Sequence, residues 1–365
     1  MHAATLSRPD ASPAITGALP APYLLFLGDV TEPGYAKTAF GLRDWAGERC
    51  VGELALAGAT VTTGLPSLDP AAAAARGARA MVIGVASPGG AIPPTWLDAL
   101  HEALAAGLDL VSGMHSRLAD LPGLPEAAVR HGRRLIDVRV PPAGLTVGTG
   151  IRRSGQRLLT VGTDCSLGKK YTALALARTL TARGLDATFR ATGQTGIMIA
   201  AAGIPIDAVV ADFAAGAAEL LSPAAPPDHW DVIEGQGSLF HPAYAAVSLA
   251  LLHGSQPDCF VVCHDPTRTH VLGRETLALP SIEQVIDQTV AMGRLTNPAI
   301  RCAGVSLNTG ALDAAAATAI IAATAARLGL PAADPLRGGP AFDRLADSCL
   351  HAGSATPDSA TFSSS

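Results

Sequence analysis

The densest chemistry in this chain lies in Val161-Gly162-Thr163-Asp164-Cys165-Ser166-Leu167-Gly168-Lys169-Lys170-Tyr171-Thr172, where an apolar strand runs through a glycine-bounded loop into a helix of Ala, Leu and Thr. Glycines let the backbone curl until successive amide N–H groups face one anion, and the positive end of the following helix adds to the same field. Gly162 and Gly168 bound the curl, Thr163, Asp164, Cys165 and Ser166 fill it, and Lys169 reaches over it toward a terminal phosphate. The residue after Lys169 is Lys170, where an enzyme acting on a magnesium nucleotide places Ser or Thr to hold the metal. Two adjacent lysines suit the fixed phosphates of a coenzyme better than a triphosphate that must be cleaved. Tyr171 and Thr172 complete the cofactor-binding set, with Thr172 still offering a hydroxyl, and no bound metal is expected. Cys165 reads either as a nucleophile activated by the helix start or as a small residue that fits the curl.

Two further segments place polar groups at strand ends. In Phe189-Arg190-Ala191-Thr192-Gly193-Gln194-Thr195-Gly196, Arg190 closes a strand and a polar loop follows at the carboxyl edge, where open α/β sheets bind ligands. Arg190 offers a two-pronged hydrogen bond to a carboxylate or phosphate. In Ile233-Glu234-Gly235-Gln236-Gly237-Ser238-Leu239-Phe240-His241, Glu234 ends a strand and the glycines after it allow close approach of a ligand. Glu234 is placed to accept a proton or a cation, and His241 to act as acid or base near neutral pH. Arg268, after the strand Cys259–Cys263, and His115, after Leu108–Ser112, are candidate substrate contacts, together with Arg190, Thr192, Gln194, Thr195 and Gln236. Cys259 and Cys263 lack a second pair nearby and read as buried thiols, not zinc ligands.

These groups need a scaffold, and the length of 365 residues suits two domains. Short apolar runs at Tyr23–Gly28, Ala80–Ala86 and Leu108–Ser112 read as strands, and Trp96–Gly107 reads as a helix that stops at a glycine. Strands parted by helices of this length predict a parallel, helix-covered sheet. A Pro/Gly-rich stretch, Val138–Arg153, marks a border near residue 150. Beyond it Leu158–Val161, Ala187–Arg190, Asp231–Ile233, Cys259–Cys263 and Ala303–Leu307 read as the strands of a second α/β domain. The expected organisation is a leader over 1–22 without fold, domains over 23–150 and 151–351, and a Ser/Thr-rich unfolded tail over 352–365.

Composition narrows the partners. A net charge of −5 with 16% charged residues provides no overall basic field for nucleic acid. A 48% hydrophobic share and a mean hydropathy of +0.31 exclude wholesale disorder. The apolar stretch Ala314–Leu330 contains Thr and Arg and reads as a buried or amphipathic helix rather than a membrane span. Six scattered cysteines without a CxxC pair, and an N-terminus without the basic start and apolar core of a secretory signal, read as reduced thiols in a cytoplasmic protein.

The loop, with its five residues between Gly162 and Gly168 and its Gly-Thr-Asp start, resembles that of dethiobiotin synthetase and its relatives, in which a Glu-Gly-x-Gly segment like that of Glu234–Gly237 faces the phosphate loop. Taken in order, SGMHSRL, GTDCSLGKKYTALAL, RATGQTGIMIA, VVADFAAGAAE and VIEGQGSLFHPAYAAVSLALLHG resemble a bacterial family, first catalogued as a domain of unknown function, whose characterised members are D-glutamate N-acetyltransferases that use acetyl-CoA. The resemblance implies a Rossmann-like N-terminal domain and a P-loop NTPase-like C-terminal domain with a parallel sheet. It implies acetyl-CoA as cosubstrate, and a D-amino acid, D-glutamate first, as acceptor. The residue chemistry then nominates Glu234 or His241 as base, the Thr192–Gly196 loop as oxyanion donor, and Arg190 or Arg268 as carboxylate binder. Two other readings stay open: an ATP- and Mg-dependent ligase or kinase of the dethiobiotin synthetase class, and a nucleotide-binding regulatory protein. The expected partner is a small amino acid, with no nucleic acid and no membrane, and the chain is expected to form a homo-oligomer.

Overall fold

The computed structural model describes residues 19–86 and 90–351. The leader and the tail expected to lack a fold lie outside the described residues, apart from the last few residues of the leader. The chain divides into two compact units, one formed by the residues up to Leu145 with Ala191–Val209, the other by Thr146–Arg190 with Val210 onward.

The first unit is built on a five-stranded parallel sheet in the order β2-β1-β3-β4-β5. Its strands are β1 (Tyr23–Gly28), β2 (Cys50–Ala55), β3 (Ala80–Ile83), β4 (Asp109–Ser112) and β5 (Leu135–Asp137). β1, β3 and β4 are buried along their whole length, and β1 and β3 therefore read as unbroken apolar runs. β2 escapes such a reading because Glu53 sits inside it. That carboxylate is buried and accepts from the Thr63 backbone N–H at 2.7 Å and from the hydroxyls of Thr62 and Thr63, so a charged residue here anchors a loop to the strand. Trp96 stands edge-on to Phe26, with ring centroids 5.3 Å apart, and its indole N–H donates to Asp29 at 2.9 Å. Asp29, at the end of β1, is thereby tied to the turn before helix α3 (Leu97–Ala105).

The crossover Ala191–Val209, which carries helix α6 (Gln194–Ala200), packs in this first unit although both its flanks belong to the second. Its partner is helix α1 (Lys37–Ala46), where the Thr38 and Thr195 hydroxyls meet at 2.8 Å. Arg139 ties the same segment down through Asp207 at 2.6 Å, Gln194 Oε1 at 3.1 Å and the Gly113 carbonyl at 2.8 Å.

The second unit is built on a six-stranded parallel sheet, β13-β12-β9-β6-β8-β7. Its strands are β6 (Gln156–Gly162), β7 (Ala187–Arg190), β8 (Trp230–Ile233), β9 (Cys259–His264), β12 (Arg301–Leu307) and β13 (Ala332–Ala333); β10 (His270–Val271) and β11 (Arg274–Ala278) form a separate antiparallel pair. From β6 the chain passes to the edge strand β7, returns to β8 beside β6, then crosses to β9 on the other side. The carboxyl end of β6 is thus the switch point at which such sheets bind ligands. Helix α5 (Lys169–Ala182) starts there; α7 (Ala211–Leu221), α8 (Ala245–Ser255) and α9 (Ile282–Gly293) follow, the last held by a capping box between Ser281 and Gln284. Helix α10 (Ala314–Leu328) buries only Ala317 and Thr324, two turns apart on one face, as an amphipathic helix does. Among the described residues no helix is long and apolar enough to cross a membrane.

Candidate functional site

The loop between β6 and α5 is shaped by its own backbone and by one distant arginine. Gly168, at the helix start, has φ 108° and Ser166 has φ 55°. The left-handed turn is free for the glycine but strained for the serine, and strain of this kind gathers at ligand-binding loops. The N-cap residue of α5 is Gly168, which has no side chain to close the first turn. The Lys169 ammonium lies over the loop and donates to the Asp164 carbonyl at 2.7 Å. Burial pulls its pKa below the ordinary lysine value, an effect that an arriving anion would offset. Lys170 is half-buried and stacks on the Tyr171 ring at 5.0 Å; the only other lysine in the chain is Lys37.

Asp164 is fully buried inside the loop, and Arg268 compensates its charge. Arg268 donates to Asp164 Oδ2 at 2.9 Å and to the Cys165 carbonyl at 2.7 Å, while the Leu272 N–H donates to the same oxygen at 2.7 Å. Asp164 Oδ1 is buried without a hydrogen-bond partner. Thr163 is fixed by the Cys263 carbonyl, which accepts its N–H at 3.1 Å, and by His264 Nδ1, 3.0 Å from its hydroxyl. The Thr172 hydroxyl points into the sheet, 2.8 Å from Ser306 Oγ and 3.1 Å from the Gly168 carbonyl, so it is engaged away from a ligand in the loop. Burial raises the Cys165 thiol pKa, with Lys169 opposing, the reverse of the shift an activated nucleophile shows.

The segment after β8 lies against the loop. A Cβ on Gly235 would fall 1.6 Å from the Thr160 carbonyl and 3.3 Å from Lys169 Cδ, so only glycine lets this backbone rest there. Its N–H donates to Thr160 Oγ1 at 2.9 Å. Glu234 is buried beside it, while Gln236 is half-buried and its carbonyl accepts from Ser248 Oγ at 2.6 Å. His241 is buried and stacks on Tyr244 at 4.5 Å, and its Nδ1 accepts the Ala243 N–H at 3.1 Å. The neutral ring then carries its proton on Nε2 and acts there as a donor.

One ligand atom each from Asp164, Cys165 and His241 lies within 4.8 Å of the others, a spacing open to a metal ion. Lys169 and Arg268 bring positive charge to these groups, Asp164 and the neighbouring Glu234 bring negative charge, and His241 Nδ1 already accepts the Ala243 N–H.

Of the remaining candidates, one lies in the second unit and four in the first. Arg190 pairs with buried Asp231 at 2.6 Å, and Asp231 also accepts from Ser222 at 2.6 Å, so this guanidinium is committed to the sheet. Thr192, Gln194, Thr195 and His115 belong to the first unit, where Thr192 and Thr195 are buried, Gln194 is held by Arg139 and His115 is exposed. Sequence reasoning missed Thr38, Arg139, Leu272 and Ser306. Each acts across more than fifty residues of chain, and local spacing carries no signal of that.

Residues 49–141 match a family model described as a domain of unknown function, DUF1611_N, Rossmann-like domain, and residues 146–345 match its companion, DUF1611_C, P-loop domain. The second match includes the crossover that packs in the first unit. Proteins from Pseudoalteromonas sp and Tritonibacter scottomollicae, each named D-glutamate N-acetyltransferase, are 47% and 48% identical over 318 residues, which is 87% of this chain and 96% of each relative. The crystal structure of a DUF1611 family protein from Anabaena variabilis ATCC 29413 superposes with a TM-score of 0.82 at 33% identity, covering 90% of this chain and 99% of that one. With both models matched in order and these relatives aligned over most of its length, the chain belongs to the DUF1611 family, a Rossmann-like domain followed by a P-loop domain.

Proposed function

We propose that this chain transfers the acetyl group of acetyl-CoA to the amino group of D-glutamate. The observation that carries the reading is the anion seat: a P-loop whose position after Lys169 is a second lysine and whose Thr172 hydroxyl is tied to Ser306. Such a seat suits a phosphate that is held, not a Mg-bound phosphate that is transferred. The names of relatives at 47% and 48% identity support the same reaction.

In that reaction the amine attacks the thioester carbonyl, the CoA thiolate leaves, and the amine loses a proton. Lys169 and the loop amides hold a coenzyme phosphate. Glu234, buried beside the loop, is the base that receives the amine proton, and His241 contributes its Nε2–H as a donor to developing negative charge. Arg268 and Arg190 are spent on Asp164 and Asp231, so we assign them to holding the site in shape rather than to the substrate.

The test is incubation with acetyl-CoA and D-glutamate in EDTA, following thiol release and the acetylated product by mass spectrometry, with L-glutamate in parallel. Activity in EDTA and loss of turnover in a folded Glu234→Gln variant are expected. Product formation that strictly requires Mg-ATP would refute the reading.

A further inference from the structure

Asp164 and Cys165 are adjacent in the phosphate loop, His241 comes from the segment after β8, and one ligand atom of each lies within 4.8 Å of the others. Among the described residues no other three His, Cys, Asp or Glu side chains meet in this way. A second observation marks the same spot. Asp164 is fully buried, and its two oxygens are treated unequally: Oδ2 accepts from Arg268 at 2.9 Å and from the Leu272 N–H at 2.7 Å, whereas Oδ1 is buried without a hydrogen-bond partner. An unpaired carboxylate oxygen away from water costs stability, so its retention beside a thiol and an imidazole points to a cation that it meets there.

The donor set selects the ion. A thiolate, an imidazole nitrogen and a carboxylate oxygen suit zinc, whereas magnesium and calcium take oxygen ligands. Tetrahedral zinc, with bonds of about 2.0–2.3 Å, sets its ligand atoms about 3.3–3.8 Å apart, an adjustment within reach of side-chain rotation here. Three protein ligands leave a fourth position open, and Cys165, only half-buried, gives the ion a way in. Lys169 and Arg268 oppose it, but Asp164, Glu234 and the thiolate formed on binding outnumber them. The neutral imidazole has one lone pair, now accepting the Ala243 N–H at 3.1 Å, and this bond is given up to the metal. We propose that Asp164 Oδ1, Cys165 Sγ and a ring nitrogen of His241 form a zinc(II) site that clasps the phosphate loop to the segment after β8. Binding replaces the S–H bond by an S–Zn bond and releases that proton to solvent. One consequence rests on the proposed function, in which His241 donates to developing charge: zinc takes this ring out of the reaction, so the ion inhibits and the metal-free protein is the active form.

Zinc added to the metal-free full chain is followed by competition with a chromophoric chelator, with cobalt(II) as a spectroscopic stand-in. The wild type is expected to bind zinc, to show a thiolate-to-cobalt charge-transfer band, and to have Cys165 protected from alkylation by the ion, read by peptide mass spectrometry. Losing an outer partner of a metal ligand costs about 10- to 100-fold in affinity, and Cys165→Ser and His241→Gln, which remove ligands themselves, should each lose at least that. The band should vanish in Cys165→Ser and persist in Cys50→Ser, whose thiol lies in the first unit. No zinc binding, wild-type affinity in both ligand variants, or alkylation of Cys165 that zinc leaves unchanged overturns the site, and the last of these needs no variant. Turnover unaltered at saturating zinc overturns the inhibition. If D-glutamate is acetylated in EDTA and zinc never binds, the proposed function stands and the site falls. If zinc protects Cys165 but D-glutamate is never acetylated, the proposed function falls and the site stands.

Discussion

Replacing Lys169 by methionine removes one positive charge from the loop while keeping most of the buried volume. Lys169 is 6% exposed and its ammonium lies over the loop, so a phosphate there gains a charge-assisted hydrogen bond in a dry environment. Such bonds contribute about 1.5–3 kcal/mol, which at about 1.4 kcal/mol per decade is roughly a ten- to hundredfold loss of CoA affinity. Stability should move the other way or not at all. Burial lowers the lysine pKa from its ordinary 10.5, so between the lowered value and 10.5 the unfolded chain binds more protons than the folded one. Folding therefore gains stability as pH rises through that window, and a neutral side chain removes the dependence. In wild type, CoA affinity should begin to fall at a lower pH than an ordinary lysine would give, and this early fall should vanish in the variant. Calorimetric titration across alkaline pH, with thermal melts at each point, measures both. A CoA affinity in Lys169→Met within twofold of wild type, with an intact melt, would refute the phosphate role of this lysine.

Other expectations follow from the partners of the loop. Arg268→Ala strands the fully buried Asp164 carboxylate with only the Leu272 N–H, and breaking such pairs costs about 3 kcal/mol or more, here at the low end because the Arg268 side chain keeps 20% exposure. A fall of about 6–12 °C in melting temperature is expected, partly rescued by Arg268→Lys; an unchanged melt would remove the clamp from the account. His264 has its pKa lowered from 6.5 by burial, so its folded form binds fewer protons and stability is lost as pH falls through 6.5 toward the lowered value. His264→Gln should flatten that limb of a stability-versus-pH curve, and an unaltered slope would assign the acid sensitivity elsewhere.

Contiguous residues made the chemistry of this chain legible, because a phosphate loop is a local object. Gly162, Gly168 and Lys169 lie within eight residues, and the apolar run before them and the helix after them are sufficient to place them at a strand end. The buried strands β1, β3 and β9 were equally legible, since a strand covered on both faces reads as an apolar run without any knowledge of its neighbours. β2 was not, because Glu53 is satisfied only by Thr62 and Thr63, which fold back to it from a later loop.

Tertiary structure decided which charges are free. Arg190, Arg268 and Thr172 all carry groups suited to a ligand, yet their commitments to Asp231, Asp164 and Ser306 are made 41, 104 and 134 residues away. It also decided that Ala191–Val209 leaves the sheet it interrupts and joins α1 through Thr38 and Thr195, 157 positions apart. Side-chain type and spacing determine what a segment is able to bind. Whether it does so depends on where burial places its counter-charges and hydrogen-bond partners, and that is a property of the folded chain.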